Sequence, residues 1–264
     1  MTLAARLAAF AIVWAAAPTA ALAQDAKGEA ALAHGRTLYY SLAKRAFAGG
    51  QCQVRPEWED LIGPRNAQNA SGFALLDQLR MTLAVSDDGA ATVDIVDPGA
   101  AQHPQAAKGV SQIFQGLNQA LSGFFGTWSL FMINSPLPGV ATSTAVSPTA
   151  GGYLLRYKDG AADVESTLRP NGEISKIVVK AATFESTVQP LFAHTLGGLV
   201  LTGYQADYTP TVGKGVVHLT EHVDYQTANG LEFPALITSD SILDGDPTHV
   251  RLHLEGCKLS RKAT

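Results

Sequence analysis

The chain reads as an α+β protein built on an antiparallel sheet, and three observations predict this. From residue 153 to 258 the pattern alternates apolar and polar with period two, the mark of strands with one buried face. Asp159-Gly160, Asn171-Gly172 and Asn229-Gly230 break that run, and two-residue Asx-Gly turns join antiparallel neighbours. Two stretches, 29–47 and 105–124, instead space their apolar residues on one helical face. A sheet with one apolar face must be covered, and these two helices are the segments available to cover it. The 264 residues are 46% hydrophobic, enough for a core, and only 16% charged, against about 25% in a typical soluble domain. A net charge of −4 lacks the basic footprint of a nucleic-acid binder.

Residues 1–23 have the form of an export signal. Arg6 and the amino terminus give a positive start, and 7–17 is an apolar run too short to span a bilayer. Ala21-Leu22-Ala23 follows Pro18 as an A-x-A cleavage site before Gln24. An uncleaved membrane anchor is the alternative, but no Cys follows the cut to make a lipoprotein. The expected location is therefore periplasmic or secreted, with residues 24–264 forming one domain.

In the first helix, Leu32, Tyr39, Leu42, Ala43, Ala46 and Phe47 share a face, and Gly49-Gly50 marks its stop. Residues 51–70 read as loop with a turn of helix. Leu79, Met81, Leu83 and Val85 form one face of a strand, Asp87-Asp88-Gly89 turns the chain, and 91–96 returns. Pro104 suits a helix start. Val110, Ile113, Phe114, Leu117, Ala120, Leu121 and Phe124 follow on one helical face. Residues 127–133 (TWSLFMI) are apolar on both faces and read as a buried strand, and 136–152 reads as loop.

Tyr153, Leu155 and Tyr157 alternate with polar residues, as do Val164 and Leu168. Further on, Tyr204 and Tyr208 share a side. Val217, Leu219, Val223 and Tyr225 form an apolar face with Glu221 as its exception, opposite His218, Thr220, His222 and Asp224. Pro234 suggests an edge, a strand start or a bulge. Val250, Leu252 and Leu254 complete the series, opposed by His249, Arg251, His253 and Glu255.

Cys52 and Cys257 are the chain's cysteines. An oxidising compartment favours a bond between them, which would close a long loop and tie the two ends of the fold together. Two separate thiols are the alternative.

The runs 201–208 (LTGYQADY), 216–224 (VVHLTEHVD), 225–234 (YQTANGLEFP) and 249–254 (HVRLHL), with the hairpins at Asp159-Gly160 and Asn171-Gly172, resemble the LolA-like periplasmic lipoprotein carriers. The resemblance covers roughly residues 150–260. It implies that the sheet is curved into an incomplete barrel, with the helices across its concave face, and that this face takes up acyl chains. The candidate lining residues are then Leu130, Met132, Tyr153, Leu155, Tyr157, Leu168, Tyr204, Tyr208, Leu219 and Tyr225. A filled core under the helices is the alternative, and would make the protein a structural or interaction module of the envelope. The expected partner is a lipid or an acylated protein, with transient contact to the membrane or to envelope proteins, and the expected state is a monomer.

No catalytic residue, metal or cofactor is expected. His218 and His222, like His249 and His253, lie four apart in strands, so each pair is separated by roughly 13 Å and cannot share one ion. They read as solvated imidazoles, with a surface zinc or copper site the lesser alternative. Ser41-Leu-Ala-Lys44 matches the S-x-x-K of penicillin-recognising enzymes, but their K-T-G is missing and the strand-rich half is the wrong fold. The acids at Asp87-Asp88 and Asp244-Gly-Asp246 are explained by turn chemistry.

Overall fold

The computed structural model describes residues 26–99, 107–212 and 215–263. The expected export segment with its cut after Ala23, and Pro104 at the expected helix start, lie outside these residues. Twelve strands form one antiparallel, curved sheet that does not close into a barrel, in the order β3-β2-β1-β12-β11-β10-β9-β8-β7-β6-β5-β4. The strands are β1 (Phe47–Pro56), β2 (Arg80–Val85), β3 (Ala91–Val96), β4 (Thr144–Thr149), β5 (Gly152–Asp159), β6 (Ala162–Leu168), β7 (Ile174–Lys180), β8 (Phe184–Thr195), β9 (Gly198–Pro210), β10 (Val217–Ala228), β11 (Leu231–Leu243) and β12 (Asp246–Arg261). The helices are α1 (Ala26–Leu38), α2 (Trp58–Ile62), α3 (Ala70–Leu76) and α4 (Ala107–Met132).

The expected hairpins are present at β5–β6, β6–β7, β10–β11 and β2–β3. At the β10–β11 turn Asn229 and Gly230 both have positive φ, 50° and 68°, which a tight turn matching the strand twist requires. Pro234 lies at a bulge, opposite Tyr225 where the β10–β11 register shifts.

Five local expectations are corrected. The first helix ends at Leu38, not Phe47. Tyr39 and Tyr40 are instead held by the sheet: the Tyr39 hydroxyl accepts the Ile174 N–H at 2.7 Å and the Tyr40 hydroxyl accepts the Glu232 N–H at 2.9 Å. Gly49-Gly50 does not stop a helix but lies within β1, where a Cβ on Gly50 would come within 2.4 Å of Leu259 Cδ2. The stretch 51–70 therefore holds most of β1 and the start of α3 where loop was expected, together with a turn of helix, α2. The apolar run 127–133 continues α4 instead of forming a strand; periodicity cannot separate a buried strand from a buried helix in so short a run. Within the expected loop 136–152 lies β4, which is an edge strand and so tolerates Pro148.

Cys52 and Cys257 form a disulfide across 205 residues of sequence. It joins β1 to β12 where their register shifts. The first sheet strand is thereby bonded to the last.

The helix α4 covers the sheet with the stripe Val110, Leu117, Leu121, Phe124, Phe125, Trp128, Phe131 and Met132, all buried. Burying each such side chain contributes about 1.5–3 kcal/mol. The Phe125 and Trp128 rings pack on Phe233 at 6.0 and 5.5 Å. The C-terminal end of α4 is pinned, because the Met132 and Ile133 carbonyls accept the N–H groups of Leu42 and Ala43 at 2.9 and 3.0 Å. These are end groups that no intrahelical bond can reach.

Candidate functional site

The expected lining residues fall into groups. On β5 and β6, Leu155 and Leu168 are fully buried while Tyr153 and Tyr157 are half-buried. Tyr157 meets the Ser166 hydroxyl at 3.3 Å and also lines a surface groove of about 520 Å³ with Arg156, Lys158 and Glu165. On β9 and β10, Tyr204 is buried, Leu219 is half-buried, and Tyr208 is 40% exposed and stacked on Phe184. Two strands, β7 and β8, separate these groups, a gap of about 14 Å at normal strand spacing.

The expected strand residues Leu130 and Met132 are on α4. Leu130 is 55% exposed and lines nothing within the fold. Met132 is buried, and its Sδ accepts the Leu201 N–H at 3.4 Å. Tyr225 links helix to sheet, because its hydroxyl accepts the Trp128 indole N–H at 2.9 Å and donates to the Leu201 carbonyl at 2.6 Å. Burial raises the Tyr225 phenol well above its ordinary range.

The residue whose role the sequence left open is Glu221. It is 3% exposed, on the same face as Leu219 and Val223, directly across the ladder from Tyr204 on one side and Ser239 on the other. The Ser239 hydroxyl donates to Glu221 Oε1 at 2.9 Å. Its other oxygen, Oε2, has no partner, and neither does the Tyr204 hydroxyl. Thr127 of α4 lies beside that phenol, at a geometry short of a formed hydrogen bond. Burial pushes the Glu221 carboxyl up to about 8, against the lowering effect of Ser239, and Asp240 pushes it the same way. The carboxyl is therefore protonated at neutral pH. Its sequence signal was visible, as the one charged residue on an apolar face.

A strip of apolar side chains leads away from this pair. Two and four residues along the same face, Ala206 pairs with Leu219 and Tyr208 with Val217; Val188 and Leu243 flank them on β8 and β11. Ala206, Leu219, Val217 and Val188 are half-buried, and Leu243 is 52% exposed. The strip runs about 13 Å from Val217 to Glu221.

Three of the strand histidines have carboxylate partners on the outer side. His218 meets Asp207 at 2.6 Å, His249 meets Asp240 at 2.7 Å, and His253 meets Glu57 at 2.8 Å. Arg251 grips both Glu57 and Asp60, and its hydrogen bond holds the Asp60 carboxyl below the usual range. This network fastens α2 to β12. Among the described residues no group of three or more His, Cys, Asp or Glu is placed to hold a metal ion.

Ser41 of the S-x-x-K pattern has a structural role. Its buried hydroxyl donates to the Ile133 carbonyl at 2.9 Å and accepts the Lys44 N–H at 3.2 Å, so it helps fix the end of α4. Among the described residues no helix is long and apolar enough to cross a membrane. No protein-family model, no curated protein and no solved structure matches the chain.

Proposed function

We propose that this protein is a carrier or binding protein for a lipophilic ligand, a lipid or an acylated protein, taken up on the concave face of the sheet with α4 as its movable cover. The observation that carries this reading is a strip of half-buried apolar side chains on β8, β9 and β10 that leads to two buried polar atoms without partners. Buried polar groups without partners are rare enough to call for an explanation. The resemblance of the C-terminal half to LolA-like carriers supports the same ligand class. The export segment expected at residues 1–23, with the disulfide, supports an oxidising, periplasmic or extracellular setting.

The cover suits movement. Between Ala107 and Met132 it carries a single charged residue, Lys108. Four glycines, Gly109, Gly116, Gly123 and Gly126, would each place a Cβ in open space, and each weakens a helix by up to about 1 kcal/mol. The pinned C-terminal end is the pivot. A chain of about ten methylenes would gain about 8 kcal/mol on burial. That is comparable to the packing released by Val110, Ile113, Phe114 and Leu117, and less than the contribution of the Phe124–Met132 cluster. Partial lifting of the helix is therefore the motion that ligand burial can drive.

The second reading, an envelope module with a filled core, is favoured by the aromatic packing of Phe125 and Trp128 on Phe233. Native mass spectrometry of protein purified from its own host separates the two. The carrier reading expects retained lipid, and expects added fatty acid to raise the melting temperature and shift Trp128 emission in a Trp58→Phe background. Absence of retained lipid, with no thermal gain from any fatty acid or lipopeptide, overturns it.

A further inference from the structure

We propose that Glu221 and Tyr204 form a carbonyl-recognition site, which binds the ester, amide or carboxylic carbonyl oxygen at the head of an acyl ligand whose chain lies along the adjoining apolar strip. This inference rests on the carrier reading and names the chemistry of the ligand.

The two residues face each other on neighbouring strands, where paired side chains start about 5 Å apart. Both are more than nine-tenths buried, and each has one oxygen without a partner. Leaving a buried donor unmet is costly, so the pair is organised for something that supplies an acceptor. The help from Ser239 is confined to the other carboxyl oxygen, since its hydroxyl donates to Oε1. That leaves Oε2 to carry the carboxyl proton. The Tyr204 phenol stays protonated, because burial and the neighbouring Glu221 both disfavour its anion. Two O–H groups without partners therefore project from facing positions on neighbouring strands, at the buried end of the apolar strip. A carbonyl oxygen has two lone pairs and can accept both. An ammonium head would instead need an ionised carboxylate, which burial in this apolar face opposes.

The test compares four probes of equal chain length, methyl laurate, lauric acid, dodecane and dodecylamine, bound to the purified protein at pH 6.5. Methyl laurate and lauric acid are expected to bind at least tenfold more tightly than dodecane. Glu221→Leu and Tyr204→Phe should each weaken methyl laurate about tenfold and leave dodecane unchanged. Glu221→Leu removes a buried carboxyl and Tyr204→Phe keeps its ring, so both variants are expected to fold, and circular dichroism checks this. If dodecane binds as tightly as methyl laurate, or the variants bind both as the parent does, the pair holds only buried water and this inference falls while the carrier reading stands. Tightest binding of dodecylamine also overturns it. If no dodecyl compound binds, the carrier reading itself fails.

Discussion

Glu221 on β10 stands directly across the ladder from Tyr204 on β9, and each keeps one oxygen without a hydrogen-bond partner in the interior of the sheet. The neighbouring positions on the same face are Leu219, Val223 and Ala206, so the surroundings are apolar and ionisation of the carboxyl is disfavoured.

Stability should therefore fall with rising pH. The folded carboxyl is raised from an ordinary 4.5 to about 8 by burial, while in the unfolded chain it is ordinary. Between these values the folded state binds more protons, so the contribution of Glu221 is fully present below about 4.5 and is lost as pH rises through about 8. A tenfold difference in proton affinity between the two states corresponds to about 1.4 kcal/mol, so the loss amounts to a few kcal/mol. Urea unfolding at pH 5, 7 and 9, for the parent and for Glu221→Leu, isolates it as a difference. The variant should be the more stable at pH 9 and show a flatter profile. Parallel profiles would clear Glu221 of any part in the pH dependence.

Gly109, Gly116, Gly123 and Gly126 offer a second test, on the cover. An added Cβ meets nothing within 4 Å at any of them. Each Gly→Ala change should then stabilise the protein by about 0.5–1 kcal/mol through helix propensity alone. All four together should slow amide exchange along α4, and if α4 lifts to admit ligand they should slow uptake too. A destabilising member of the set would mean that its position touches something.

The hairpins were legible because their information is local: Asn229-Gly230 states its own turn, and the alternation on either side states the faces. The start of the sheet was not. Gly49-Gly50 looks like a helix stop, and what explains the two glycines is the positive φ of Gly49 beside the Val85 carbonyl and the closeness to Gly50 of Leu259, on a strand more than 200 residues away in sequence. Leu130 and Met132 were misplaced because an apolar run of seven fits a strand or a helix equally well, and what decides is the fit of Trp128 and Phe131 into the core. Glu221 was visible as an anomaly. Its meaning depended on register, since one residue of slip would have put it among the outward histidines.

Removing the disulfide should loosen the seam it closes. Cys52 and Cys257 join β1 to β12, and through β1 they hold the β1–β2–β3 end of the sheet to the rest. Replacing both with Ala should cost about 2–4 kcal/mol and lower the melting temperature by roughly 5–15 °C for a chain of this size. Hydrogen exchange should quicken first in β1, β2 and β3. Uniform quickening across all twelve strands would mean that the bond acts on the whole fold and not on that seam.

The hydroxyl of Tyr225 serves two groups at once, accepting from the Trp128 indole and donating to the Leu201 carbonyl. Tyr225→Phe strips both of their partner inside a buried site, so it should destabilise by about 2–4 kcal/mol, more than the loss of one ordinary hydrogen bond. Trp128→Phe removes the donor but leaves the Tyr225–Leu201 bond intact, and its cost is mainly the space left beside Phe233. In the double variant the indole is no longer present to be orphaned, so the two losses should not add. The expected coupling is about 0.5–3 kcal/mol, measured by chemical unfolding of the four-member cycle. Simple additivity would show that the helix is held by ring packing alone, and that the Tyr225 hydroxyl serves only the sheet.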